Sequence, residues 1–343
     1  MSLIYSEIQN QFAAMEKCAA YLDDNIEAVR ESLLKFAPKS VVFMGCGSSF
    51  SLAKSMADTV NIRAKVPSFA VAAGDAAIHV ERYVNLANDA VVIPVSRSGS
   101  TSEILLALEG LKARNCRFTV IGLSCVNHCK LSEYCSVSLE MPWCFDESVC
   151  QTRTVSCLYY SFQFVLAKLL GNSELSRQLS EFPKVGTQFL LKNEQQWKEI
   201  AGLDWDHVVV LADAEIHGIA EEGALAFKEV CQLPSNCYHV LDVRHGPMVL
   251  IRNKTLVIAG VAGDKLEIDL IRDLVSHNAT VVTCSSMPIE MPGTINFSID
   301  RETDHIIRGL LVIVLCQMVA YYKSGITGTD PDHPDGLEAW IKL

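Results

Sequence analysis

The chain is short of positive charge. Its 343 residues carry 29 Lys and Arg against 40 Asp and Glu, a formal net charge of −11. That balance argues against a nucleic-acid partner, because binding a phosphate backbone wants a Lys/Arg surplus. A local anion site stays open, since oriented backbone N–H groups need no basic surplus. No apolar stretch approaches the roughly 20 residues that span a bilayer, so no membrane partner is expected. The opening residues, MSLIYSEIQNQFAAMEK, lack a basic region followed by an apolar core, so they do not read as a secretory signal. A paired C-x-x-C is also missing. The 13 cysteines include several inside apolar runs (Cys46, Cys157, Cys284, Cys316) and read as small buried hydrophobes of a reducing, cytoplasmic compartment. Cys125, His128 and Cys129, with Cys135 beyond, are the one cluster to weigh as a metal site. Zinc needs four ligands at compatible spacing, so neither a metal nor a cofactor is expected.

What is present is the composition of a well-packed globular protein, half hydrophobic and one fifth charged. Residues 3–36 place Ile8, Phe12, Met15, Ala19, Leu22, Ile26, Val29 and Leu33 at alternating steps of four and three, the stripe of an amphipathic helix. Asp23-Asp24-Asn25 is a candidate break. From residue 40, short β-branched runs alternate with helical patterns, which indicates βαβ units and a parallel sheet. The polar stretch 171–186 carries turn signals, and a second alternation follows from residue 207. The spacing predicts an α/β fold with two flavodoxin-like subdomains, each a parallel sheet flanked by helices in three αβα layers. The expected organisation is an N-terminal helical segment (1–36), a first domain (37–170), a linker helix or loop (171–204), a second domain (205–325) and a tail (326–343).

Two turns of the first half are rich in glycine and hydroxyls at strand-to-helix junctions. One is Gly45-Cys46-Gly47-Ser48-Ser49; the other runs Ser96, Arg97, Ser98, Gly99, Ser100, Thr101. Such junctions lie at the carboxyl ends of parallel strands, where ligands bind. A helix N-terminus there offers N–H groups and the positive end of its dipole to phosphate. Ordinary N-capping would need only one hydroxyl per junction. A dinucleotide fingerprint fails because Phe50 sits where G-x-G-x-x-G needs its third glycine, and no G-K-[ST] follows for a P-loop.

MGCGSSF followed by PVSRSGSTSEIL resembles the sugar isomerase (SIS) domain family, and the resemblance covers nearly the whole chain as tandem SIS domains. It implies that Gly47, Ser48, Ser49, Ser96, Arg97, Ser98, Gly99 and Thr101 cradle a sugar phosphate. The stretch ALAFKEVCQLPSNCYHVLDVRHGPMVLI resembles the family's catalytic segment, which implies Glu229 as a carboxylate base and His245, sixteen residues on, as an acid. Chemically the pair suits moving a proton between C1 and C2 of an open-chain sugar. The segment 147–156 is similar to one that contributes Glu147, Thr152 and Arg153 near the sugar. The partner implied is a phosphorylated sugar or sugar-amine, and relatives whose His-Gly-Pro loop reaches a neighbouring subunit imply a homodimer or higher oligomer with a shared active site.

The pattern departs from the synthase type at two places. Ala226 occupies the position of a lysine three residues before the Glu. In the tail, Ala339 stands where a second lysine is expected, with Lys342 three residues off register. Substrates already bearing nitrogen at C1 would not need that amine. The expected function is therefore a deglycase of a fructose-amine 6-phosphate. The alternatives are an aldose–ketose isomerase or deaminase of the glucosamine-6-phosphate type, and a non-catalytic phosphosugar sensor. With Ala212 and Ala214 and no hydroxyls at the corresponding turn, the second half is expected to lack a phosphate site. His217 sits at that turn and is the more interesting of the remaining histidines.

Overall fold

The computed structural model describes residues 2–338. The chain divides into two compact units. The first comprises Ala13–Glu147 and Arg153–Ser180; the second comprises the N-terminal residues through Phe12, Ser148–Thr152 and Glu181–Leu337.

The first unit holds a five-stranded sheet of β1 (Ser40–Gly45), β2 (Ser68–Ala72), β3 (Ala90–Ser96), β4 (Phe118–Ser124) and β5 (Val137–Glu140). Every pairing is parallel, in the order β2-β1-β3-β4-β5. All seven residues of β3, AVVIPVS, are buried, as expected of a central parallel strand covered on both faces. Val42, Met44, Val92 and Val120 of the sheet pack with Ile104, Ala107 and Leu108. These last belong to α5 (Ser102–Ala113), which shares the unit with α2 (Ser48–Thr59), α3 (Ala73–Ile78), α4 (Val80–Ala87) and α6 (Arg153–Leu169).

The second unit repeats the topology. Its strands are β6 (His207–Leu211), β7 (Ser235–Tyr238), β8 (Thr255–Gly260), β9 (Thr280–Ser285) and β10 (Thr294–Ser298), ordered β10-β9-β8-β6-β7 and parallel throughout. Numbered within its own unit, each sheet runs 2-1-3-4-5, the flavodoxin-like order. Helices α8 (His217–Val230), α9 (Lys265–Ser276) and α10 (His305–Thr327) accompany it. The two-subdomain αβα architecture expected from the alternation is the observed one.

Four local features differ from the reading of the sequence. The first helix, α1 (Leu3–Phe36), runs unbroken through Asp23-Asp24-Asn25; Asp23 pairs with Lys168 at 2.7 Å and Asn25 Nδ2 donates to the Tyr21 carbonyl, so side chains that compete for backbone groups elsewhere are occupied here. The turn-like stretch after Gly171 becomes α7 (Ser173–Ala201), helical through Pro183. Strand β10 was not anticipated, because TINFS is an edge strand with only Phe297 buried. Finally, α10 is long and apolar enough to cross a bilayer, contrary to the expectation that no stretch is. Most of its apolar window (83 %) is buried within the protein, which is the environment of a core helix.

Candidate functional site

In a 2-1-3-4-5 sheet the crevice opens between the first and third strands, at their carboxyl ends. The two hydroxyl-rich turns leave β1 and β3, so the topology puts both at that switch point. Gly45 ends β1 where a Cβ would sit 2.5 Å from the Ser49 backbone, so the missing side chain lets α2 start close to the strand. Gly47 follows with φ 52°, a left-handed backbone that glycine adopts at little cost. It is the N-cap of α2 and no side chain caps the helix. Ser48 and Ser49 occupy its first turn and are 5 % and 6 % exposed. Burial, with the Glu103 carboxylate adding to it, pushes the Cys46 thiol up to about 11, so Cys46 stays protonated at neutral pH.

The second turn is wired to itself. Ser96 Oγ accepts the Gly99 N–H at 3.0 Å and shares a 2.8 Å hydrogen bond with Thr101 Oγ1, while Ser98 Oγ accepts the Ser100 N–H at 3.1 Å. Thr101 is the N-cap of α5, but its hydroxyl turns to Ser96 and makes no capping bond. Gly99 has φ 58°, and a Cβ there would meet Cys129 Sγ at 2.2 Å. Its need is thus for the left-handed turn and the packing of Cys129. Arg97 is buried with its guanidinium 5.7 Å from the centre of the Phe145 ring. Cys125 and Cys129 are buried and Cys135 Sγ donates to the Leu131 carbonyl, while His128 is exposed with its N–H on Glu140. These four pack or hold the loop beneath the turn.

Of the second-rank residues, Glu147 is exposed. Arg153 lies 3.4 Å from the buried Asp146 carboxylate and also donates to the Phe145 carbonyl. Asp146 in turn accepts the Thr154 N–H at 2.8 Å and so caps α6. Asp146 was not singled out in the sequence, where an acidic residue seven before a helix start carries no spacing signal. Thr152 belongs to the second unit, buried, with its carbonyl accepting from Gln317 Nε2 at 2.9 Å.

Glu229 is the penultimate residue of α8 and half-buried; Ala226 one turn earlier is buried. His245 sits on an exposed loop, its N–H on the Asp242 carbonyl at 2.8 Å, followed by Gly246 at φ 124°. Arg244 anchors that loop to Asp273 of α9. Beyond it Val249 and Leu250 are 83 % and 53 % exposed. Ala339 and Lys342 lie outside the described residues.

At the switch point of the second sheet the corresponding turns look different. Ala214, after β6, has φ 52°. Asp213 Oδ1 accepts from Val240 N and His239 Nδ1, and His239 stacks on His217 with ring centroids 3.9 Å apart. His305 Nε2 donates to the Asp213 carbonyl. The turn after β8 carries an anion of its own: Glu267 Oε2 accepts the N–H groups of Ala262, Gly263 and Asp264 at 2.9, 2.7 and 2.9 Å.

Comparison with known proteins follows the same lines. Residues 36–163 match the SIS domain model. The chain is 23 % identical over 334 residues to the isomerizing glutamine–fructose-6-phosphate aminotransferase of Caldanaerobacter subterraneus subsp. tengcongensis, covering 92 % of this chain and 53 % of that protein. With the enzyme of the same name from Pyrobaculum aerophilum it shares 25 % over 350 residues, 98 % and 57 % of the two chains. It thus spans about half the length of these curated relatives. Among solved structures, a glucosamine-6-phosphate deaminase from Thermotoga maritima superposes with a TM-score of 0.84 at 27 % identity over 100 % of both chains. A tagatose-6-phosphate ketose/aldose isomerase from Escherichia coli superposes with a TM-score of 0.85 at 19 % identity, over 98 % of this chain and 96 % of that one. One domain of the chain, residues 36–163, thus matches the SIS domain, and a second sheet of the same strand order follows it.

Proposed function

We propose that the protein is a phosphosugar enzyme that breaks a sugar–nitrogen bond, acting as a deglycase of fructose-amine 6-phosphates. The observation that carries this reading is the pair of buried, hydroxyl-bearing turns at one switch point, which suits a sugar phosphate. Ser48, Ser49, Ser96, Ser98 and Thr101 supply hydroxyls, Gly47 and Gly99 the turn geometry, and Arg97 positive charge. Glu147, Thr152 and Arg153 are secondary contacts, with Arg153 held through Asp146.

Glu229 removes a proton from C1 of the open-chain ketosamine and returns it at C2. The amine N–H proton passes to the C2 oxygen, so the C2 carbonyl becomes a hydroxyl and the C1–N bond becomes an imine. Water then adds to C1, and His245 protonates the departing amine, leaving an aldose 6-phosphate. No enzyme amine is required, which accommodates buried Ala226. A second reading, deamination of an aminosugar 6-phosphate, is favoured by the full-length likeness to a structure described as a glucosamine-6-phosphate deaminase.

The active form in this proposal is a homodimer in which His245 serves the partner. The outward-facing Val249 and Leu250 beside the loop support it, since a second copy would cover them.

Purified protein incubated with a fructosamine 6-phosphate should release the amine and glucose 6-phosphate. Release of ammonia from glucosamine 6-phosphate instead would favour the second reading, and turnover of neither would remove both. Glu229→Gln should bind substrate normally while losing about 10²–10⁴ in kcat. Mixing Glu229→Gln with His245→Gln subunits should restore activity if His245 acts in the partner, and a dead mixture refutes that arrangement.

A further inference from the structure

Three thiols from three separate stretches meet inside the first unit. Cys18 comes from α1, Cys144 from the short turn Pro142–Cys144, and Cys157 from α6. Their sulfurs all lie within 4.8 Å of one another, with Cys18 and Cys144 3.3 Å apart. Each of the three side chains is fully buried at 0 % exposure. None belongs to the phosphate turns or to the Glu229 and His245 segments.

Metal–thiolate bonds of about 2.3 Å in a trigonal arrangement hold their sulfurs about 4 Å apart. All three sulfurs lie within 4.8 Å of one another, and the Cys18–Cys144 pair at 3.3 Å would open by a fraction of an ångström to admit a metal. At Cys18 the surroundings also suit a thiolate. Trp143 Nε1 donates to Cys18 Sγ at 3.3 Å. Burial pushes all three thiols up and holds Cys144 and Cys157 well above their ordinary range, whereas at Cys18 hydrogen bonds from its neighbours outweigh burial and hold the thiol well below it.

The geometry points to one Cu(I) ion bound by Cys18, Cys144 and Cys157 as a three-sulfur site. Soft thiolate donors select Cu(I), whereas zinc asks for four ligands in a tetrahedron. Among the described residues these are the one group of three or more metal-binding side chains that are all mutually this close, with the Cys125 thiol hydrogen-bonded to Cys144 at its edge. Each thiol that coordinates gives its proton to the buffer, and copper stays in the +1 state throughout.

The test uses full-length protein purified without oxygen from copper-supplemented cells and dialysed against the Cu(I) chelator bathocuproine disulfonate. About one copper per chain should remain, and X-ray absorption should show a first shell of sulfur alone. A Cys18→Ala/Cys157→Ala variant should hold at least about tenfold less copper, while Cys116→Ser, outside the cluster, should match the wild type. The wild-type absorption spectrum keeps the test independent of whether the double variant folds. A copper-free wild type, a first shell dominated by nitrogen or oxygen, or equal retention by a folded double variant would overturn the site.

Discussion

Gly47 and Ala214 share a positive φ, 52° in each, in the turns that leave β1 and β6, the leading strands of the two sheets. Glycine takes that conformation freely, whereas an alanine is strained there by about 1–2 kcal/mol. Gly47→Ala should therefore lower stability by about 1–2 kcal/mol. The effect is conformational alone, because a Cβ at Gly47 meets nothing within 4 Å. Ala214→Gly should raise stability by about 0.5–1 kcal/mol, the strain relief being partly offset by a freer unfolded chain. Urea unfolding of both variants followed by tryptophan fluorescence measures this, and a less stable Ala214→Gly contradicts it.

Ser96 does two jobs in its turn, and the substitutions separate them. Ser96→Ala leaves the Gly99 N–H without its acceptor, so it should cost about 1–3 kcal/mol of stability as well as weaken phosphosugar binding. Ser49→Ala, in the other turn, should weaken binding by about tenfold or more with little change in melting temperature, since a hydrogen bond to a charged group contributes about 1.5–3 kcal/mol. Calorimetric titration with fructose 6-phosphate beside thermal melts tests the split. Unchanged affinity in both variants would remove the phosphate from this crevice.

These strands were legible because β-branched runs such as SVVFM, AVVIPVS and TLVIAG are largely buried and read as strands without alternation. The two hydroxyl-rich turns were legible as strand-to-helix junctions because glycines and hydroxyls cluster where the apolar strand runs stop. Residues that act through distant partners left no such mark. Asp146 meets Arg153 and the start of α6 only once the chain has turned. Cys18, Cys144 and Cys157 are more than a hundred residues apart at their extremes, so no spacing rule could unite them. The Gly99 requirement was half visible: its left-handed turn is a sequence-level property, but the contact with Cys129 is tertiary. Local polarity misled at 171–186, where polar residues cover the outward face of a long amphipathic helix.

Glu267 fills an N–H cradle in the second unit of the kind proposed for a phosphate in the first. One carboxylate oxygen takes three backbone N–H groups, and Asp264 completes a capping box with the Leu266 N–H at 2.8 Å. Glu267→Ala should cost about 1–2 kcal/mol and expose those donors at the positive end of α9. Added sulfate should then raise the melting temperature of the variant more than that of the wild type. Equal sulfate responses would show that the cradle collapses when its carboxylate is removed.

Glu140 ties the loop below the phosphate turn to the sheet, and its charge makes that tie depend on pH. Burial pushes its carboxyl up, but hydrogen bonds from Ser132, the His128 N–H and Ser138 prevail and hold it below the ordinary 4.5. The loop so anchored supplies the Leu131 N–H that the Gly99 carbonyl accepts at 2.8 Å. A carboxyl depressed in the folded state contributes stability that is fully present above its unfolded value and fades as pH falls through the folded one. Glu140→Gln should thus be less stable than wild type above about pH 5, and the gap should close as the pH drops below 4.5. Unfolding midpoints of the two proteins between about pH 3 and pH 7 decide it. A gap that stays constant across that range would show that the side chain acts there by shape and neutral hydrogen bonding, with its charge contributing nothing.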